Sequence, residues 1–112
     1  MPEPITLFSV GDIILDEPQP DSFFEPSAPV LTTGDVVIGH VEVPHSTATT
    51  SQSTDVPAPP ADPAALKALP AAGFHVVTLA GNHVFDAGEV GIADTIAHAR
   101  AAGLRTVAPA RT

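Results

Sequence analysis

A chain of 112 residues with 13 acidic against 4 basic side chains, net charge -9, is a poor partner for nucleic acid, whose phosphates are held by Lys and Arg, and a better host for cations. Its 44% hydrophobic content and mean hydropathy of +0.24 exclude a wholly disordered chain, although 13 prolines force much of it into irregular paths. The lack of cysteine removes disulfides and thiolate metal sites, and the opening MPEPITLFSV has neither the basic flank of a signal peptide nor the length of a membrane span, so a soluble cytoplasmic protein is expected.

Along the chain, Ile5 to Val10 predicts a first strand, rich in β-branched and aromatic residues and stopped by Gly11. Residues 17–29, EPQPDSFFEPSAP, hold four prolines and read as a loop, with Phe23 and Phe24 either a satellite of the core or a lid. A second strand is expected at Val36 to Val41, where the apolar run is continuous, as in a parallel strand covered on both faces. Residues 44–61, PHSTATTSQSTDVPAPPA, form a Ser/Thr/Pro-rich stretch expected to be a mobile excursion.

A short helix should follow, with Asp62 as N-cap, Pro63 in the first helical position, Leu66 and Leu69 on one face, Pro70 limiting its length and Gly73 as C-cap. A third strand is predicted over Phe74 to Ala80 and an Ala-rich helix over 89–102, with Ile92, Ile96 and Ala99 on one stripe and Gly103 ending it. LRTVAPA then reads as a fourth strand. Strand, excursion, strand, helix, strand, helix, strand is the order of an α/β fold with a mainly parallel sheet and flanking helices. Neither a G-x-G-x-x-G after the first strand nor a G-x-x-x-x-G-K-[ST] motif is present, which argues against a dinucleotide or P-loop site.

In open parallel sheets, ligands gather beyond the carboxyl ends of the strands. That rule singles out Asp12 after the first strand, His40 and Glu42 at the end of the second, and Asn82 with His83 after the third. Carboxylate, imidazole and amide are hard to borderline donors that suit Mn, Fe, Zn or Mg and not soft copper. Two such ions about 3.5 to 4 Å apart clamp the attacking and departing oxygens of a phosphoryl or acyl displacement. An imidazole beside them gives or takes the proton. Plainer readings exist for each residue: Asp12 as a turn residue, Asn82 and His83 as loop groups satisfying backbone atoms, His40 as a packed strand-end imidazole, and Glu42 as a surface strand end. His45, His75 and His98 read as structural or solvated and receive no role.

VGDIIL (with Gly11 and Asp12), DVVIGHVEVP (Asp35 to Pro44) and GFHVVTLAGNHVFDAGEVGIADTIAHARAAGL (Gly73 to Leu104) resemble, in order and spacing, the N-terminal half of the CapA family. These are poly-gamma-glutamate capsule-synthesis proteins whose fold is similar to that of calcineurin-like metallophosphoesterases. The resemblance implies that Asp12 is a metal ligand, that Glu42 stands for the acid of the family's Asn-x-Glu motif, that Asn82 is a metal ligand, and that His83 is the proton donor or an oxyanion contact. Asp86 and Gly88 match the tail of the third motif and would shape its loop. The chain departs from the family at His40, where Asn is usual, so His40 becomes a further metal ligand or an acid/base group. The family's second half, which brings more histidines to the metals, has no counterpart within residues 1–112. The resemblance therefore implies one partial domain over 1–112, as a fragment, split subunit or inactive copy, with two divalent ions held only in a complete domain.

The expected activity is that of a metal-dependent hydrolase or phosphoesterase-like protein acting on a small-molecule or peptide substrate, with no nucleic acid or membrane partner. Capsule polymer is handled at the membrane, so a soluble relative with another substrate is expected. One alternative is a metal-dependent peptide epimerase of the kind that tailors lasso peptides. The other is a non-catalytic half-domain acting through a second chain, its open sheet edge and unshielded apolar face offering the contact.

Overall fold

A computed structural model describes residues 2–48 and 60–108. The runs of β-branched residues form β1 (Leu7–Ile13), β2 (Val36–Val41), β3 (Val76–Thr78) and β4 (Arg105–Val107), which lie side by side in chain order. All three pairings are parallel. Parallel neighbours need crossovers, and right-handed crossovers between strands in sequential order all fall on the same face. The helical segments are a 3-10 turn at Pro20–Phe24, α1 (Ala28–Leu31), a second 3-10 turn at Pro63–Lys67, α2 (Ala68–Ala72) and α3 (Gly88–Ala101).

Burial follows from that one-sided stacking. Val37, Val41 and Val77 are buried and join Leu31, Leu66, Leu69 and Ala99 in one hydrophobic cluster. Their strand neighbours Val36, Ile38, His40, Val76 and Thr78, pointing to the other face, are only half-buried. The expectation that β2 is covered on both faces is thus corrected: its continuous apolar run serves one packed face and one partly open face.

Strand β1 begins two residues later than predicted and runs through Gly11 and Asp12 to Ile13. Its pairing with β2 shifts between Ser9↔Ile38 and Asp12↔His40, so three steps on β1 match two on β2. Such a bulge resets the alternation of side chains. Strict alternation from Ser9 would turn Asp12 toward the helices and Ile13 outward; instead Ile13 is buried and Asp12 is exposed.

Residues 17–29 are not a plain loop, because the 3-10 turn and α1 each accept a proline in the first helical turn, where its missing N–H costs nothing. Phe24 packs edge-on against Phe74, ring centroids 5.4 Å apart, and is a satellite of the core, whereas Phe23 stays exposed. Asp62 caps the next turn as predicted, its Oδ1 accepting the Ala64 N–H at 2.9 Å. Pro70 lies inside α2, and the helix ends at Gly73, whose φ of 106° lets the Phe74 N–H reach back to the Leu69 carbonyl. The buried line of α3 is Gly91, Thr95 and Ala99, with Ile96 packed beside it, a rotation from the predicted Ile92, Ile96, Ala99 stripe. Gly91 leaves room for the segment at Pro44 to pack on the helix: a Cβ there would lie 3.5 Å from that of Pro44.

The two ends of the 44–61 stretch are ordered and buried, joined by a parallel bridge between His45 and Ala61. Its expected mobility concerns residues 49–59, which lie outside the described residues. Among the described residues no helix is long and apolar enough to cross a membrane.

Candidate metal centre

The register of the sheet assembles the centre before any side-chain detail. Asp12 on β1, His40 on β2 and Thr78 on β3 occupy one row, since Asp12 pairs with His40 and His40 with Thr78. Residues directly across from one another share a face. Glu42 follows His40 by two positions, which in extended chain returns its side chain to that face. Its N–H still donates to the Ile13 carbonyl at 3.1 Å, so the ladder continues past the formal end of β2.

From these positions Asp12, His40 and Glu42 each offer one donor atom, all within 4.8 Å of one another. The His40 Nε2 lies 2.9 Å from Glu42 Oε2 and 4.0 Å from Asp12 Oδ1. The other ring nitrogen, Nδ1, faces the Thr78 carbonyl at 3.2 Å and the Thr78 hydroxyl at 2.9 Å. A carbonyl only accepts, so it favours the tautomer with the proton on Nδ1 and the lone pair on Nε2. That lone pair then confronts a carboxylate oxygen, an arrangement relieved by a proton or a cation between them.

A divalent cation fits this donor set. Around an ion bonded at about 2.1 Å, adjacent octahedral ligands lie roughly 3 Å apart and opposite ones roughly 4.2 Å apart. The separations of 2.9 and 4.0 Å fall in those ranges. One imidazole nitrogen fixed from behind by an acceptor, with two carboxylates, is a borderline-to-hard set suited to Zn, Mn or Fe.

The turn after β3 closes the centre from the third side. Gly81 is placed so near that a Cβ there would lie 2.4 Å from His40 Nε2 and 3.5 Å from Glu42 Oε2, which explains the glycine by space rather than by backbone freedom. His83 presents Nε2 at 3.9 Å from Glu42 Oε1, and its Nδ1 is bonded to Asp86 Oδ2 at 2.6 Å. Asp86 is 5% exposed, a buried carboxylate compensated by that bond. The two oxygens of Glu42 thus face different imidazoles, His40 and His83. Asn82, between Gly81 and His83, is exposed and has no side-chain hydrogen-bond partner among the described residues.

Of the sequence-predicted residues, the structure brings Asp12, His40, Glu42 and His83 together and leaves Asn82 in the adjoining turn with its amide turned to solvent. Asp12 sits within β1 and not after it. The sequence reading missed Thr78, whose only signal is a hydroxyl in an apolar strand, and gave Asp86 a loop-shaping part without its bond to His83. His75 uses Nδ1 to accept the Val37 N–H at 3.0 Å, and His98 is exposed on α3.

No individual curated protein matches the chain. A family model described as bacterial capsule synthesis protein PGA_cap matches residues 6–109, a span that takes in all four strands and every residue of the centre. The sheet order, the rim of donors and this match agree, and the chain belongs to the PGA_cap family of bacterial capsule synthesis proteins.

Proposed function

We propose that the chain is a metal-dependent hydrolase-type domain in which Asp12, His40 and Glu42 hold a divalent cation and His83 moves the proton. The observation that carries this reading is the convergence of donor atoms from two strand ends within 4.8 Å, at the rim where parallel sheets bind ligands. A bound divalent ion supplies Lewis acidity and lowers the pKa of a coordinated water toward neutrality.

The remaining chemistry belongs to the chain's own groups. Asp86, buried and bonded to Nδ1, orients the His83 ring so that Nε2 faces the rim, where it can hand a proton to a departing oxygen. Thr78 orients His40 in the same manner from the opposite side of the ring. Glu42 lies between the two histidines, with Oε2 2.9 Å from His40 and Oε1 3.9 Å from His83.

Calorimetry with Mn²⁺ and Zn²⁺ on the intact chain, together with hydrolysis of p-nitrophenyl phosphate, tests the proposal. Asp12→Ala and Glu42→Ala should each weaken metal binding at least about tenfold, as loss of a ligand does. His83→Ala should keep the metal and lose turnover by roughly 10²- to 10⁴-fold, the usual worth of a general acid or base. Equal metal content in the parent and the two ligand variants would remove the centre. Solvent deuterium entering a peptide without cleavage would replace hydrolysis with epimerisation at the same residues.

A further inference from the structure

Three residues beyond Glu42 stands a histidine that the proposed chemistry does not use. His45 is 0% exposed, although it opens a Ser/Thr/Pro-rich stretch. Its N–H donates to the Thr95 hydroxyl of α3 at 2.9 Å, and its backbone bridges to Ala61. Around it the Ala61 N–H donates to the Pro44 carbonyl at 2.8 Å, the Ser46 N–H to the Ala61 carbonyl at 3.1 Å, and the Ser46 hydroxyl to Asp94 Oδ2 at 2.6 Å. The ring is satisfied on one side only. Nδ1 lies 3.1 Å from the Val43 carbonyl and so carries the proton, while Nε2 is buried with no hydrogen-bond partner among the described residues.

A neutral ring leaves one weak acceptor unmatched at that nitrogen. A protonated ring would leave an N–H and a positive charge there, and a buried unpaired charge costs far more than an unmatched acceptor. The charged and titratable groups around it do not supply a bond: Asp62 favours the charged ring only through space, His98 of α3 opposes it, and Asp94 is occupied by Ser46.

We propose that His45 is an acid-sensitive fastening: when its imidazole takes up a proton, the junction joining residues 44–46 to Ala61 and α3 opens while the sheet and its covering helices stay folded. Pro44, His45, Ser46 and Ala61 are buried, but none belongs to the hydrophobic cluster built on Val37, Val77 and Leu69, and the junction is held chiefly by its hydrogen bonds. Units with few buried apolar contacts open at lower free energy than the whole fold. Burial lowers the ring's pKa from 6.5 to about 4, so the closed form binds fewer protons than the open one across that interval. Closure therefore weakens as pH falls, with the open population rising roughly tenfold per pH unit inside the window.

Amide hydrogen exchange on the intact chain at three pH values between about 6.5 and 4.5, corrected for intrinsic rates, reads this directly. The Ser46 and Ala61 amides should lose protection roughly tenfold per pH unit and stay, at each pH, far less protected than those of Phe74 and Leu104, which are bonded inside the core and exchange only when the whole fold opens. In His45→Asn, whose amide keeps a donor near the Val43 carbonyl and cannot take up a proton, the slope should vanish. Protection at Ser46 and Ala61 equal to that at Phe74 and Leu104, an unchanged slope in His45→Asn, or a His45 ring resonance in the parent chain titrating above about pH 6 would each overturn the proposal. The last measurement needs no variant to fold.

Discussion

Thr78 has no proton chemistry to offer, yet it decides which nitrogen of His40 faces the carboxylates. Its carbonyl and hydroxyl both approach Nδ1, at 3.2 and 2.9 Å, and leave Nε2 to Glu42 and Asp12. Thr78→Val keeps the carbonyl and the β-branched shape while removing the hydroxyl, so affinity for Zn²⁺ should fall roughly tenfold, at the low end for lost outer-shell bonds, with stability little changed. Gly81→Ala tests the same ring from its other end. The new Cβ would lie 2.4 Å from Nε2, so the imidazole must leave its position, and metal affinity should drop by at least about tenfold without a change in the circular dichroism spectrum. A Gly81→Ala chain that bound metal as tightly as the parent would mean that His40 is not a ligand. Neither effect was legible from residue types alone. Thr78 and His40 are 38 positions apart, and only the strand register makes them neighbours.

At the scale of elements, residue composition located all four strands and the long helix, because β-branched runs, Asp62 and Gly73 act through forces within a few residues. It missed the phase of β1. The bulge between Ser9 and Asp12 has no local signature beyond Gly11, and it exists because β2 offers two positions where β1 has three. The same one-sided packing sorts the cost of truncations. Leu69→Ala, at 0% exposure in the cluster under α2, should destabilise by about 2 to 5 kcal/mol in urea unfolding. Leu7→Ala, on the edge strand at 54% exposure, should change it by less than about 0.5 kcal/mol. Comparable losses at both sites would mean that the second face of the sheet is covered.

For the molecule as a whole, thirteen acidic groups against four basic ones make charge a background present in every measurement, and His45 makes part of it depend on acidity. Because burial lowers that ring's pKa to about 4, the unfolded chain holds more protons than the folded one below about pH 6.5. Stability attributable to His45 is therefore complete above that value and lost on acidification, by about 2 kcal/mol between pH 7 and pH 5. Unfolding free energies from urea titrations at those two pH values should separate in the parent chain by that much more than in His45→Asn. An equal separation in both would assign the acid sensitivity to the carboxylates. A net charge of -9 opposes association between like copies through the half-buried Val36, Ile38 and Val76, an opposition that salt should weaken.

The order of elements, the parallel sheet, the cap at Asp62, the turn at Gly73 and the residue types of the rim were determined by the sequence itself, since each depends on backbone preferences and side-chain periodicity over a few residues. Tertiary structure alone decided that Asp12 belongs to a strand, that Thr78 faces Nδ1 of His40, and that His45 is buried. Those outcomes depend on register and on dehydration, which arise from contacts between residues 28 to 50 positions apart, and no short window of sequence contains them.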